Sequence, residues 1–513
     1  CIRDSQVRAL AELGLKVAAH YGTPQELEWG IEGGHLYLLQ ARPITSLFPI
    51  PSAIPGAIHP RVYASFHHFQ VMLDPMPKLA RSLWMHIFPF LQPKDVTSDD
   101  MKTTTALREG GERLWVDVTP LFAHPVIGAK VGSGLAIASP AASQRFLLLR
   151  QRPSFQGLDK AGASVSMGEV VSFIGPVIGR AFLNALRGRR LAAGALKDAI
   201  DSKLAKVGAA AEAVEPGAPR LRYLLKTTKL EVLPWLMEVF PPIMFPVILG
   251  SKVFESLLPD TPEVKALQGS LGRGLDGNVT TEMDLAVGDV ADLAHGNEAL
   301  QEGIREVTVG TRKLADIKDV PGGEDFLKGL EQFIDAYGFR GPSEIDVSRE
   351  RWSDNPMSLL QVILGTGDEP PGAHRARKAR HDQEVEGARE RLIELVKAES
   401  GAFKGWIVRR LLPIWRHGLT IREHPKYLLI RTLALFRRAF IEDGARLAAA
   451  GALEEPGDIF HLSLEELLAL EEGQGAHGDG EGLKAVAKSR RLAYPRAFDL
   501  NPPPLITSEG ECP

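Results

Sequence analysis

ELEWGIEGGHLYLLQARPI, residues 26–44, alternates apolar and polar residues with a period of two. Side chains on a strand point to opposite faces with that period, so the stretch predicts two strands of a hairpin. The odd positions Leu27, Trp29, Ile31, His35, Tyr37, Leu39 and Ala41 make a nearly unbroken apolar face. The even positions Glu26, Glu28, Gly30, Glu32, Leu36, Leu38, Gln40 and Arg42 are mixed and charged. Gly33 and Gly34 supply the turn, because glycine tolerates the positive φ of tight turns. A two-residue loop would pair odd with even positions, whereas a three-residue loop with a glycine bulge keeps odd opposite odd. The pattern therefore predicts the odd loop, with Glu28, Gln40 and Arg42 on one side. Glu28 and Gln40 would offer oxygens to a hard cation and Arg42 would fork onto a phosphate. A solvated polar face with no ligand is the ordinary alternative.

The 513 residues are 44% hydrophobic and 24% charged, with a net charge of −4. That is the composition of a globular protein large enough for several domains. The near-neutral balance gives no electrostatic footprint for nucleic acid. The two cysteines, Cys1 and Cys512, stand at opposite ends. No disulfide framework is indicated, and a reducing cytoplasm is expected. The chain opens without Met or a signal-like segment and reads as a fragment. VLPWLMEVFPPIMFPVILGSKVF (232–254) is long enough to span a membrane but holds Glu238 and four prolines. A buried, broken helical pair lining an apolar pocket is expected there instead, with no membrane partner.

SLFPIPSAIPGAIHP (46–60) reads as an extended linker. From residue 61 to 500 apolar residues recur at three- and four-residue spacing, which predicts a large helical domain. Breaks fall at EAVEPGAPR (212–220), LGTGDEPPGAH (364–374) and EEGQGAHGDGEG (471–482). The glycine-rich run 269–278 reads as a loop without a phosphate role. In RHGLTIREHPK (416–426), Arg422 and Lys426 stand four apart. On one helix their Cβ atoms would lie ~6 Å apart, with Glu423 off that face. Two such cations imply a phosphate or a distant acid between them; an ordinary basic stripe is the alternative.

YGTPQELEWGIEGGHLYLLQARPIT (21–45) resembles the closing segment of the ATP-grasp domain of the phosphoenolpyruvate synthase and pyruvate phosphate dikinase superfamily. By that resemblance Glu28 and Gln40 would ligate Mg²⁺ on ATP, and Arg42 would contact its phosphates. RHGLTIREHPK with DIFHLSLEEL (458–467) is similar to the rifampin phosphotransferase branch. So are FQVMLDPMPKLARS (69–82), NVTTEMDLAVGDVADL (278–293) and YGFRGPSEIDVSRERWSDNP (337–356). NPPPLITSEGE (501–511) resembles the lead-in to that branch's swivelling phosphohistidine domain.

The resemblance implies four parts: the end of an ATP-grasp domain (1–46), a linker (47–60), a mainly α substrate-binding domain (61–500) and a lead-in (501–513). It implies an enzyme, an ATP-dependent phosphotransferase that moves the β-phosphate of ATP through a phosphohistidine to a hydroxyl of a bulky, rifamycin-like acceptor. AMP and phosphate are released. Arg422 and Lys426 would serve the acceptor end, Gln70 would orient the hydroxyl, and Arg340, Glu344 and Asp346 would belong to the same polar shell or to a structural ion-pair network. The phosphohistidine domain would normally lie on the same chain, so the fragment alone is expected to be inactive. A phosphoenolpyruvate synthase fragment and a non-catalytic helical binding module remain the alternatives. None of the 14 histidines sits in the context of the family's phosphorylated residue, and no HExxH or P-loop is present. His67 and His68 read as packing or pocket wall.

Overall fold

A computed structural model describes residues 4–22, 25–44, 48–52, 54, 59–69, 72–88, 103–124, 128, 140–155, 158, 168, 175, 179, 193–366, 370–471 and 480–510; side chains at 241–252 are outside that description. Two compact units emerge. One holds residues 1–75, 107–164 and 490–513, the other 76–106 and 165–489.

The first unit begins with helix α1 (Asp4–Tyr21), which packs on a hairpin of β1 (Gln25–Glu32) and β2 (His35–Pro43). The hairpin turns on two residues, Gly33 and Gly34, at φ 56° and 84°, not on the expected three. Near the turn Trp29 faces Leu38 and Ile31 faces Leu36; beyond it Glu28 faces Gln40 and Glu26 faces Arg42. The register shifts between Glu28 and Trp29, leaving Leu39 as an extra, unpaired residue. This bulge does what the odd loop was expected to do, and does it more completely. Leu27, Trp29, Ile31, Leu36, Leu38 and Ala41 now share one face, while the charged residues share the other. The glycines permit the tight turn and the bulge restores the segregation of faces.

Four short strands form a second sheet: β3 (Val62–Ser65), β4 (Leu107–Gly110), β5 (Arg113–Asp117) and β6 (Leu505–Thr507), in the order β4-β5-β3-β6, each pair antiparallel. Tyr63, Trp115 and Ile506 close its core against Phe48. Residues 505–507, expected as a lead-in, are therefore a structural strand of this unit. Segments 107–164 and 490–510 also cluster here, so residues 61–500 are not one helical body. Arg113 is buried and donates to the carbonyls of Leu73 and Ala497 at 2.9 Å, binding distant chain segments together.

The second unit is helical, and the mainly α class expected from periodicity holds. Its helix α2 (Leu233–Leu257) is one continuous helix where a broken pair was expected. Among the described residues, no helix is long and apolar enough to cross a membrane. One core cluster joins α3 (Val279–Ala294) to helices Glu298–Thr308, Gly323–Tyr337 and Met357–Gly365 through Leu300, Ile304, Phe326, Leu330 and Leu360. Another joins α2 and helix Pro262–Leu271 to α4 (Ala373–Ser400) and α5 (Ala402–Ile421), with Phe254 stacked on Trp415 at 5.3 Å. Gly401, at φ 92°, makes the turn between α4 and α5. Helix α6 (His424–Ala449) follows α5 almost at once.

Candidate functional site

Helix α5 ends at Ile421 and α6 begins at His424, with Pro425 in its first turn. Proline fits there because the first turn lacks an N–H partner in any case. Arg422 and Lys426 therefore flank a helix break instead of sharing one helix. His424 is fully buried and its Nε2 lies 3.1 Å from the Ala193 carbonyl, which pins the break; burial lowers its pKa. Asn278 caps α3, accepting from the Thr280 and Thr281 amides at 3.0 and 3.2 Å. Its Nδ2 donates to the Thr420 carbonyl at 3.0 Å. One capping side chain thus fixes the start of α3 against the end of α5.

These anchors enclose a cavity of about 470 Å³ lined by Arg273, Arg340, Arg422, Glu423, Lys426 and the α3 cap. Arg422 and Lys426 do converge on it. Glu423, expected off their face, lines it as well and accepts from Arg422 Nε at 3.1 Å, because the break turns it inward. Glu344, with only 7% of its side chain exposed, accepts from Arg340 Nε at 2.6 Å and lies 3.4 Å from Lys426 Nζ. It therefore ties two of the cations into one frame. Tyr427 supplies the remaining wall; its hydroxyl donates to Asp201 at 2.7 Å, and burial followed by that bond raises its pKa. Asp346 is fully buried beside Arg351 and faces no cavity wall described here; burial lifts its carboxyl. Four cations and one acid line the cavity, with Glu344 behind two of the cations, so the lining carries net positive charge, the sign that phosphoryl oxygens require.

Sequence reasoning missed Arg273 and Thr281. The run 269–278, read as a loop without a phosphate role, is helical as far as Leu271 and contributes Gly272, Arg273, Gly274, Leu275 and Asn278 to the wall. The cap signal Asn278 before an apolar-periodic helix was the available clue. Gln70 lies outside the described residues. Trp84 is core: its Nε1 donates to the Ile345 carbonyl at 2.9 Å. His67 is also core, its Nε2 accepting from the Leu114 amide at 3.1 Å.

In the first unit, Glu28 and Gln40 are exposed cross-strand partners, and neither side chain makes a hydrogen bond among the described residues. Arg42 Nε donates to Glu26 at 2.9 Å, a partner the sequence reading did not weigh. Two adjacent hard oxygen donors fit Mg²⁺ by donor chemistry.

Comparison with known proteins follows this division. Residues 1–52, which include the hairpin, match the family model for the AMP/ATP-binding domain of pyruvate phosphate dikinase. Residues 239–423, which include most of the basic cavity, match the family model for the fourth domain of rifampicin phosphotransferase. Rifampicin phosphotransferase of Streptomyces sviceus is 28% identical over 99% of this chain and 55% of its own length. That of Bacillus subtilis is 26% identical over 99% of this chain and 55% of its own length. The chain spans about half the length of the curated relatives it matches. A probable phosphoenolpyruvate synthase of Methanothermobacter thermautotrophicus is 50% identical, but over only 9% of this chain. The chain is thus similar to rifampicin phosphotransferases over nearly its whole length, as the motifs implied, and to that synthase over 9% of its length.

Proposed function

We propose that this chain is the acceptor-side part of an ATP-dependent phosphotransferase. A phosphoryl group, carried from ATP on a histidine, reaches the cavity of Arg273, Arg340, Arg422 and Lys426 and passes to a hydroxyl of a bulky, rifamycin-like acceptor. One observation carries the reading: four cations from three separate segments converge on one cavity, two of them, Arg340 and Lys426, held by buried Glu344. Preorganised cations around a migrating phosphoryl group stabilise the charge that develops in transfer. Similarity to rifampicin phosphotransferases over 99% of this chain supports a hydroxyl acceptor over pyruvate, since likeness to the probable phosphoenolpyruvate synthase covers only 9% of it.

On the same reading Glu28 and Gln40 would hold Mg²⁺ on ATP and Arg42 would meet its phosphates. The metal would neutralise phosphate charge; the chain's own part is to present the two oxygens side by side. The phosphohistidine belongs to a further domain of the whole enzyme, which would work in the cytoplasm.

Titration calorimetry with inorganic pyrophosphate tests the cavity directly. The chain should bind it, and Arg422→Ala or Lys426→Ala should each weaken binding by about tenfold, as expected for one charge-assisted contact. Equal affinity of both variants and the unaltered chain would make the pair a surface stripe.

A further inference from the structure

Two core clusters of the helical unit meet where α3 runs beside the start of α4. Helix α3 belongs to one cluster, and α4 belongs to the other through Leu392, Ile393 and Val396. Three metal-ligating side chains stand at that seam, and none of them lines the basic cavity. Asp289 and Asp292 are three apart near the end of α3, so they share one face. His374 lies in the first turn of α4. One ring nitrogen and one oxygen from each carboxylate fall within 4.8 Å of one another. Among the described residues, no other three His, Cys, Asp or Glu side chains converge so closely.

The seam is shaped around the imidazole. A Cβ on Gly288 would stand 2.6 Å from the His374 ring, so the glycine makes room for the ring against α3. His374 Nε2 is 3.0 Å from Asp289 Oδ1, and its Nδ1 is 3.8 Å from Asp292 Oδ2. Ligand atoms ~2.0–2.1 Å from a tetrahedral zinc ion are ~3.3 Å apart, so small side-chain rotations reach that spacing. The Gly372 amide donates to Asp292 Oδ2 at 2.8 Å and orients that carboxylate from outside the triad. Arg375 Nε donates to Asp289 at 2.6 Å; that bond, against burial, lowers the Asp289 pKa and keeps the carboxylate ionised. The Arg375 and Asp289 side chains are 58% and 43% exposed, and an ion pair so solvated contributes little and yields to a divalent ion. The carbonyl end of α3 favours a cation and the amide end of α4 opposes one, each by a partial charge, so the two full carboxylate charges decide the sign. Gly288, Asp292 and His374 also line a groove of about 400 Å³, which gives an ion its way in.

We propose that Asp289, Asp292 and His374 form a zinc site that clasps α3 to α4 and so joins the two cores. The triad supplies one nitrogen and two oxygens, and water completes the coordination. Imidazole together with carboxylate suits Zn²⁺, whereas Mg²⁺ takes oxygen ligands. Binding releases Arg375 to solvent.

The test is titration calorimetry of the chain against Zn²⁺ and, separately, Mg²⁺, with Cys1 and Cys512 alkylated so that neither thiol competes. Circular dichroism checks the fold of each variant, and melting is followed with and without Zn²⁺. Zn²⁺ should bind at micromolar concentration and raise the melting temperature, because a ligand of the folded state alone stabilises it. His374→Gln and Asp292→Asn should each weaken Zn²⁺ about a hundredfold or more and lose the thermal shift. Asp292→Asn keeps an acceptor for the Gly372 amide, so it tests ligation with the local fold preserved. Arg375→Gln removes the competing cation and should tighten Zn²⁺ by up to about fivefold. Equal Zn²⁺ affinity in the unaltered chain and both folded ligand variants is adventitious surface binding and overturns the proposal. So does a chain that takes no Zn²⁺, one that takes Mg²⁺ through these residues instead, or a folded Arg375→Gln that binds Zn²⁺ more weakly.

Discussion

His67 offers a perturbation whose size follows from its surroundings. It is wholly buried beneath the four-stranded sheet, and its Nε2 accepts from the Leu114 amide in β5 at 3.1 Å. Burial, with the nearby Arg113 charge adding to it, lowers its pKa from 6.5 to about 3. The unfolded chain therefore binds a proton at this side chain between pH 6.5 and 3 while the folded chain does not. Stability from this group is fully present above the unfolded pKa and is lost as pH falls toward the folded one. Linkage makes the loss ~3 kcal/mol on going from pH 7 to pH 4. Protonation also turns the acceptor nitrogen into a donor, so the Leu114 amide loses its partner. Hydrogen exchange by mass spectrometry over residues 113–117, corrected for intrinsic exchange, should show protection falling across that range. His67→Gln keeps an acceptor and cannot charge, so most of that decline should vanish. Parallel decline in the two proteins, or none in the unaltered chain, would refute the assignment.

Glu344→Ala should lower stability in urea unfolding by about 3 kcal/mol, since it strips the partner from largely buried Arg340; the more exposed Lys426 adds little. An unchanged transition midpoint would exclude the frame role given to Glu344. Gly288→Ala should cost about 1–3 kcal/mol through overpacking against His374, read by thermal melting. In the whole enzyme, Arg422→Ala and Lys426→Ala should slow the chase of label from phosphohistidine to acceptor by about 10²- to 10³-fold, sparing autophosphorylation from [β-³²P]ATP. Arg42→Ala should abolish the labelling step itself; normal labelling would exclude it from the nucleotide site.

The sequence by itself determined the mainly helical class, the two strands of the hairpin and the polar character of one hairpin face, because period and glycine placement are local properties. It also marked Arg422 and Lys426, since basic residues beside a proline at a helix start stand out without any fold. What it could not decide was how strands and helices meet. A turn length cannot be read apart from a bulge six residues away, and Leu39 as the extra residue is visible only once both strands pair. Strand β6 pairs with β3 across more than four hundred residues, a partnership that no local pattern announces. Pro425 signals a helix start, but only the folded break beside Arg422 brings Glu423 into the cavity. Arg273 looks like an ordinary surface charge in one dimension. Only the packing of α3 against the end of α5 brings it to the wall it shares with Arg422 and Lys426.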